Sequence, residues 1–259
     1  MQGGRDARRV KPPKFEYHAP ATVEEACALL GSLEDAKVLA GGQSLVPLLN
    51  FRLARPQHLV DINRIGGLDR LYERDGGVAV QALARQAAVE DSPLVARVCP
   101  LLSDAMQLVA HRVIRNRGTV CGSLAHADPA SELPAVLLAL GGHVVACSTR
   151  GERVIAADGL FTGVMETALL PDELLVEAWF PASSGAFAIV EESRRQGDFA
   201  LAGVVRAEQR LALFGVAPTP VLADPVDPTR GLRPSSDLEA STEFRLHLVR
   251  VLTEKALAA

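Results

Sequence analysis

The sequence predicts an α+β protein of three units in chain order. Two short strand-like segments flank a helical one in the first 65 residues, helical and strand-like segments then mix without strict alternation, and closely spaced strand-like segments precede a final helix. We expect a loose arm and then three units, with boundaries at 1–14, 15–65, 66–183 and 184–259.

The first unit opens with a helix start. Thr22 and Glu25 form a capping box, in which a hydroxyl and a carboxylate satisfy free N–H groups, and Gly31 is expected to close this helix after Leu30. A buried strand over 37–40, a Gly-Gly turn, a short helix with Pro47 in its first turn, and a strand over 58–62 follow in that order.

The second and third units are each predicted to contain both strands and helices. We predict for the second unit strands at 77–84, 144–148 and 174–180, helices at 100–111 and 132–140, and a Gly-rich turn over 118–122. For the third unit we predict strands at 187–191, 200–206 and 210–215, an irregular Pro-rich segment over 217–236, and a helix from Ser241 whose apolar face holds Phe244, Leu248, Val251 and Leu252.

Composition excludes several classes of protein. The chain has 259 residues, 48% hydrophobic and 22% charged, with a formal charge of -4, so nothing indicates nucleic-acid binding. The longest apolar stretch, Leu133–Leu140, is far shorter than the roughly 20 residues of a membrane span. The segment Met1–Lys14 has no apolar centre, so we expect no signal peptide and a cytoplasmic location.

The four cysteines are scattered and do not predict a metal site. Cys27, Cys99, Cys121 and Cys147 include no CxxC pair, so we expect reduced, mostly buried thiols and no iron-sulfur cluster held by this chain alone. His126 and Asp128 have no third or fourth ligand near them in the sequence, and we expect no metal site there.

The segment Val38–Leu45 is the first candidate ligand-binding motif. It combines a strand, two glycines and a helix start, so its backbone N–H groups are able to receive a diphosphate, and glycine permits close approach of the anion. An ordinary strand-to-helix turn is the alternative. The NAD fingerprint GxGxxG is absent.

The segment Arg117–Glu132 is the second candidate motif. It concentrates small residues, hydroxyls, a histidine and two acids between two apolar helices, as a surface that wraps a ligand does. The alternative is a flexible loop in which Asp128 or Ser131 merely caps the helix that begins near Glu132.

Together the two motifs are more specific than either alone. The runs AGGQSLVPLLNFRLARPQHLVDI and IRNRGTVCGSLAHADPASELPA resemble the medium, FAD-binding subunit of the carbon monoxide dehydrogenase and xanthine dehydrogenase family of molybdenum hydroxylases. The resemblance extends over about 14–217, includes 194–200 and returns at 244–252.

The resemblance implies a two-subdomain FAD-binding fold like that of vanillyl-alcohol oxidase, with a small C-terminal α+β cap. The turns Ala40–Ser44 and Thr119–Ser123 would hold the diphosphate, Ser131 and Glu132 would contact the ribityl and flavin region, and Leu169 and Leu170 would lie near a ring system. No side chain of this chain need be catalytic. The cofactor-binding residues implied are Val38, Leu39, Ala40, Gly41, Gly42, Gln43, Ser44, Leu45, Gly118, Thr119, Cys121, Gly122, Ser123, Ala125, His126, Asp128, Ser131, Glu132, Leu169 and Leu170.

The chain also departs from the family pattern. Cys121 and Ser123 stand where many relatives have Gly and Asn, and Ile189 and Val190 stand where relatives often carry an aromatic residue and sometimes a lysine. The segment 204–236 is shorter than usual. We therefore expect an intact FAD site and altered redox tuning, together with either a trimmed cap or a changed contact between the cap and its partner.

The function that the resemblance implies is electron transfer. FAD would pass electrons from a 2Fe-2S small subunit, reduced by a molybdenum-cofactor large subunit, to oxygen, a quinone or NAD. Two alternatives stay open: a free-standing FAD-dependent oxidase or reductase without partners, and a flavin-free scaffold.

Overall fold

The computed structural model describes residues 11–259, so most of the predicted N-terminal arm lies outside the described residues. The strands are β1 Glu16–His18, β2 Ala36–Leu39, β3 His58–Asp61, β4 Leu71–Arg74, β5 Gly77–Gln81, β6 His143–Ser148, β7 Gly151–Ala156, β8 Phe161–Gly163, β9 Glu166–Thr167, β10 Leu174–Pro181, β11 Phe187–Ser193, β12 Ala200–Ala207, β13 Arg210–Phe214 and β14 Val221–Ala223. The helices are α1 Val23–Ser32, α2 Leu45–Asn50, α3 Gln86–Glu90, α4 Pro93–Val98, α5 Pro100–Leu108, α6 Arg112–Arg115, α7 Val120–His126, α8 Glu132–Leu140, α9 Ala157–Leu160 and α10 Thr242–Ala258, and Ile62–Arg64 forms a 3-10 turn.

A small parallel sheet with strand order β1-β3-β2 begins the described fold. The capping box of α1 is present: the Thr22 hydroxyl accepts from Glu25 N at 3.2 Å, and the Glu25 carboxylate accepts from Ala21 N at 2.8 Å. The prediction that Gly31 ends this helix is wrong. The helix runs to Ser32, because Leu33 N still donates to Leu29 O, at 2.9 Å.

The second sheet is antiparallel, with strand order β4-β5-β10-β6-β7. Helices α4, α7 and α8 pack against it, and α5 packs on α4 and α8. The core there contains fully buried large side chains, among them Leu101, Met106, Leu124, Leu137 and Phe180. Within residues 11–259, none of the helices combines the length and apolar character that crossing a membrane requires.

The third sheet has the order β11-β12-β13-β14, and α10 packs on one face of it while α8 lies against β12 and β13. The expectation of a wholly irregular segment over 217–236 is wrong, because Val221–Ala223 pairs with β13 as an edge strand. Pro220 and Pro225 lie just outside β14, where a missing N–H costs no ladder bond. The predicted domain boundaries stay predictions.

The buried face of α10 also differs from the prediction. Phe244 is 45% exposed, whereas Arg245 and Val249 are buried. Arg245 is accommodated because its guanidinium donates to Gly215 O at 3.0 Å and to the Asp237 carboxylate at 2.7 Å. Because its charge is hydrogen-bonded, Arg245 can bury its long apolar stem in the core. A prediction of the buried face from apolar residues alone therefore misses Arg245.

Candidate functional site

The two predicted ligand-binding turns meet in the structure. A Cβ atom placed on Gly41 would lie 2.3 Å from Arg117 O and 2.9 Å from Gly118 Cα, so the two backbones touch and only glycine fits. Gly42 has a φ of +73°, in the left-handed region that favours glycine. Glycine is therefore required at positions 41 and 42 by a close approach of two backbones and by a left-handed conformation, and not only by an ordinary turn.

Arg85 connects the two turns through a chain of hydrogen bonds. Its Nη1 donates to Arg117 O at 2.7 Å, and its Nη2 donates to Asn63 Oδ1 at 2.6 Å. Asn63 Nδ2 in turn donates to Ala40 O at 2.8 Å. We call Arg85 and Asn63 the brace, because the pair sets the distance between residues 40–42 and residues 117–119.

The brace also places positive charge at the junction. Burial and then the nearby Arg117 lower the pKa of Arg85, while Asp61 and Asp69 oppose this. Arg85 nonetheless keeps its proton, because a guanidinium does not deprotonate in proteins. The two guanidinium groups repel each other beside glycine-lined backbone, an arrangement that a bound diphosphate would relieve.

The predicted Gly-rich turn over 118–122 is partly wrong, since residues 120–126 form helix α7. Thr119 caps this helix, its Oγ1 accepting from Gly122 N at 3.0 Å. The Cys121 thiol points into the core toward Val80 O at 3.4 Å, and burial raises its pKa far above the usual range. Cys121 can therefore meet a ligand only through its backbone.

One buried acid, Glu132, lies at the start of α8. Burial, with a smaller contribution from Asp128, raises the pKa of Glu132 to about 7. Of the two caps considered, Ser131 occupies the N-cap position of this helix, but its side chain makes no cap hydrogen bond. Asp128 does not cap the helix, because its Oδ1 accepts from Ala130 N at 2.9 Å. The Ser131 hydroxyl therefore makes no hydrogen bond to the start of this helix and is available to a ligand.

Glu191 on β11 adds a second carboxyl beside Glu132. Its Oε2 is buried and has no hydrogen-bond partner within the described residues. Burial, and then the charge of Glu132, raise the pKa of Glu191 to about 8. At neutral pH this carboxyl is therefore mostly protonated and available as a donor.

The loop that carries Leu169 and Leu170 is held in place by hydrogen bonds to Glu173. The Glu173 carboxylate accepts from Leu170 N at 2.7 Å and from Arg153 Nε at 2.6 Å. Leu169 is partly buried against the core, and Leu170 is 48% exposed. Strand β9, just before this loop, packs on α7, so the loop lies on the same side of the second sheet as the Thr119 turn.

The other predicted site residues differ in burial. Gln43 Nε2 donates to Gly41 O at 3.1 Å, and the half-buried residues are Val38, Leu39, Ala40, Leu45, Ser123, His126 and Asp128, with Ser44 and Ala125 exposed. In residues 11–259, His126 and Asp128 join no group of three potential metal ligands.

Sequence reasoning missed Asn63, Arg85, Gln86 and Glu191. Gln86 packs on Gly118: a Cβ atom placed on Gly118 would lie 2.4 Å from Gln86 Oε1, and Gln86 N donates to Gly118 O at 2.9 Å. These residues stand outside both glycine motifs, and no local pattern marks them.

Known proteins are similar in sequence to this chain over most of its length. Residues 13–183 match the family described as the FAD binding domain in molybdopterin dehydrogenase. The 6-hydroxypseudooxynicotine dehydrogenase complex subunit alpha of Paenarthrobacter nicotinovorans is 41% identical, over 96% of this chain and 95% of that protein. The carbon monoxide dehydrogenase medium chain of Hydrogenophaga pseudoflava is 42% identical, over 80% of this chain and 77% of that protein.

Solved structures show the same fold. A carbon monoxide dehydrogenase structure from Hydrogenophaga pseudoflava superposes with a TM-score of 0.90 at 36% identity, covering 96% of this chain and 97% of that chain. Quinoline 2-oxidoreductase from Pseudomonas putida 86 gives a TM-score of 0.90 at 33% identity, with the same coverage. The predicted α+β FAD-binding fold is confirmed.

The fold and the family match define a flavoprotein component of an oxidoreductase. The chain belongs to the family of FAD-binding domains of molybdopterin dehydrogenases, as the medium, FAD-binding subunit type, and its cofactor is FAD. This confirms the resemblance seen in the sequence and sets aside the flavin-free scaffold.

Proposed function

We propose that this chain is the electron-transfer subunit of a molybdenum hydroxylase complex, taking electrons from a 2Fe-2S partner and delivering them to an external acceptor. The observation that carries the proposal is the backbone contact of Gly41 with Arg117 and Gly118, held by the brace. Bound FAD supplies the redox chemistry, and the protein supplies binding, orientation and electrostatics.

Within this proposal the two turns hold the FAD diphosphate. The glycines at 41, 42, 118 and 122 keep the backbone free of side chains there, and the N–H groups of Val120 and Cys121, the first two of α7, have no acceptor inside the helix. Arg85 and Arg117 contribute charge, and the brace fixes the spacing of the turns. These residues bind the cofactor and take no part in proton transfer.

Ser131, Glu132, Leu169 and Leu170 form the flavin side of the proposed site. Glu132 is buried and ionises near neutral pH, so it is able to donate or accept a hydrogen bond according to the state of its ligand. Glu191 adds a protonated carboxyl beside it. The two leucines supply apolar surface for a ring.

The partners in the proposal are a 2Fe-2S small subunit and a molybdenum-cofactor large subunit, in a hetero-oligomer. The relative from Paenarthrobacter nicotinovorans is named as a subunit of a dehydrogenase complex, which supports it. We also propose a cytoplasmic location, which the four free cysteines support.

The test uses the complex purified anaerobically from native cells through a tag on this chain. We expect iron, molybdenum and FAD to co-purify. After reduction with dithionite, the iron-sulfur centres are followed by electron paramagnetic resonance while oxygen, a quinone or NAD+ is added. In the parallel sample this chain carries Gly41→Ala, and its more weakly bound FAD is removed by dialysis before the measurement.

Reoxidation should be at least about tenfold slower in the FAD-free complex, which corresponds to an activation barrier higher by about 1.4 kcal/mol. Equal rates would refute the electron-transfer role. A chain that carries FAD but purifies without iron and molybdenum, and is reduced directly by NADH, would instead support the free-standing oxidoreductase.

A further inference from the structure

Three potential metal ligands lie together on the first sheet, outside the two glycine turns. Strands β1 and β3 are parallel neighbours in which Glu16 is in register with His58. His18 is two residues beyond Glu16 on β1, so its side chain leaves the same face of the sheet. The group therefore consists of two imidazoles and one carboxylate from adjacent strands.

Two distances in this group match those between ligands of a tetrahedral Zn²⁺ ion, and all three ligand atoms lie within 4.8 Å of one another. His18 Nε2 lies 3.2 Å from His58 Nδ1, and His58 Nδ1 lies 3.5 Å from Glu16 Oε2. Bonds of about 2.0–2.1 Å from zinc to imidazole nitrogen place two tetrahedral ligand atoms about 3.3 Å apart. Both distances agree with this value to within a few tenths of an ångström.

Hydrogen bonds among His18 Nε2, His58 Nδ1 and the Glu16 carboxylate cannot satisfy all three groups at once. His58 Nδ1 is the shared neighbour of His18 Nε2 and the Glu16 carboxylate. A proton on His58 Nδ1 is donated to only one of these neighbours at a time, and the lone pair of the other neighbour then receives no hydrogen bond from His58 Nδ1. A divalent cation would accept all three lone pairs at once.

The position of the group suits a three-ligand site with one open position. The His58 side chain is only 16% exposed and holds the group against the sheet, whereas Glu16 is 74% exposed and free to adjust. His18 also borders a shallow groove with Glu25 and Ser32, which gives water access to a fourth position. Two nitrogen ligands and one carboxylate favour zinc over magnesium or calcium.

We propose that Glu16, His18 and His58 bind one Zn²⁺ ion that ties the first strand of the described fold to β3. The ion would link β1 and β3 by a bond stronger than the few ladder hydrogen bonds of two short strands. This site is independent of the proposed electron-transfer role, so either can fail without the other.

The experiment uses the full chain, in its complex where it purifies as one, with every polyhistidine tag removed. After EDTA treatment and desalting, ZnCl₂ is titrated calorimetrically, and Co²⁺ is titrated while tetrahedral d–d bands are recorded at wavelengths beyond the flavin absorption. The variants are His18→Gln, His58→Gln and Glu16→Gln, and His247→Gln, exposed on α10, is the matched control.

We expect one Zn²⁺ per chain for the wild type and for His247→Gln, and affinity at least about tenfold weaker for either imidazole variant. Glu16→Gln should weaken binding less, because its carboxylate is the exposed ligand. Absence of saturable zinc binding, or equal binding by wild type and His18→Gln, would overturn the proposal. Retained flavin absorbance shows that each variant is folded, and His18→Gln and Glu16→Gln carry the test if His58→Gln misfolds.

Discussion

Replacing Glu191 by glutamine should stabilise the protein, and more so as the pH rises. Burial raises the pKa of this carboxyl to about 8 from an ordinary value of 4.5. Between about pH 4.5 and pH 8, the folded state therefore keeps a proton on Glu191 that the unfolded state has released. Stability from this group is complete below about pH 4.5 and is lost as the pH rises to about 8, because unfolding then becomes coupled to ionisation.

The size of the effect follows from the two pKa values. One pKa unit is worth about 1.4 kcal/mol, so complete desolvation would give a loss of about 5 kcal/mol above pH 8. Glu191 is only partly buried, and solvent screening reduces the expected loss to about 1–2 kcal/mol. Glutamine has nearly the same shape and no charge to desolvate, so Glu191→Gln recovers this amount.

The assay is thermal unfolding of wild type and Glu191→Gln at pH 5 and pH 8.5, followed by circular dichroism. For a chain of this size we expect the variant to melt about 2–8 °C higher at pH 8.5, and the gain to fall to less than half at pH 5. Glu192→Gln makes the same charge change at the exposed neighbouring position and is the control. An equal gain at both pH values, or the same gain in Glu192→Gln, would refute the assignment of a raised pKa to Glu191.

Two further substitutions test the brace and the third sheet. Arg85→Met should weaken FAD binding about 10- to 100-fold, because it removes charged hydrogen bonds worth about 1.5–3 kcal/mol each; equilibrium dialysis against FAD measures this, and an effect no larger than that of exposed Arg97→Met would contradict it. Gly203→Ala would place a methyl group 2.0 Å from the fully buried Phe214 ring and should lower the free energy of unfolding by about 1–3 kcal/mol in urea. Gly159→Ala, which meets nothing within 4 Å, should leave that free energy nearly unchanged, and equal effects of the two would show that the Phe214 contact is absent.

Elements with strong local signals were predicted well from the sequence. Helix α8 has the predicted bounds Glu132–Leu140, because an apolar run ends at Gly141, which adopts a left-handed conformation. Strands β1 and β14 were missed, since three residues carry too little periodicity and each strand forms only because a neighbouring strand pairs with it. Helix α7 was predicted as a turn because its glycine and small residues hide the Thr119 cap.

The residues of the candidate site likewise fall into those that the sequence could predict and those that it could not. The glycine turns carry a local signal because backbone conformation and close approach restrict the residue at those positions, as at Gly41 and Gly42. Arg85 and Asn63 act through tertiary contacts with carbonyl groups of distant segments, and such contacts leave no pattern in the sequence. Glu191 is unusual only because the fold buries it beside Glu132.

FAD affinity of Gly41→Ala and Gly31→Ala tests the account of the site most directly. A methyl group on Gly41 would push the two turns apart at Arg117 O, whereas one on Gly31 meets nothing within 4 Å. We predict that Gly31→Ala binds FAD as the wild type does and that Gly41→Ala, with an unchanged circular dichroism spectrum, binds at least about tenfold more weakly, a loss of about 1.4 kcal/mol or more. Wild-type FAD affinity in Gly41→Ala would contradict the claim that these two turns together hold the diphosphate.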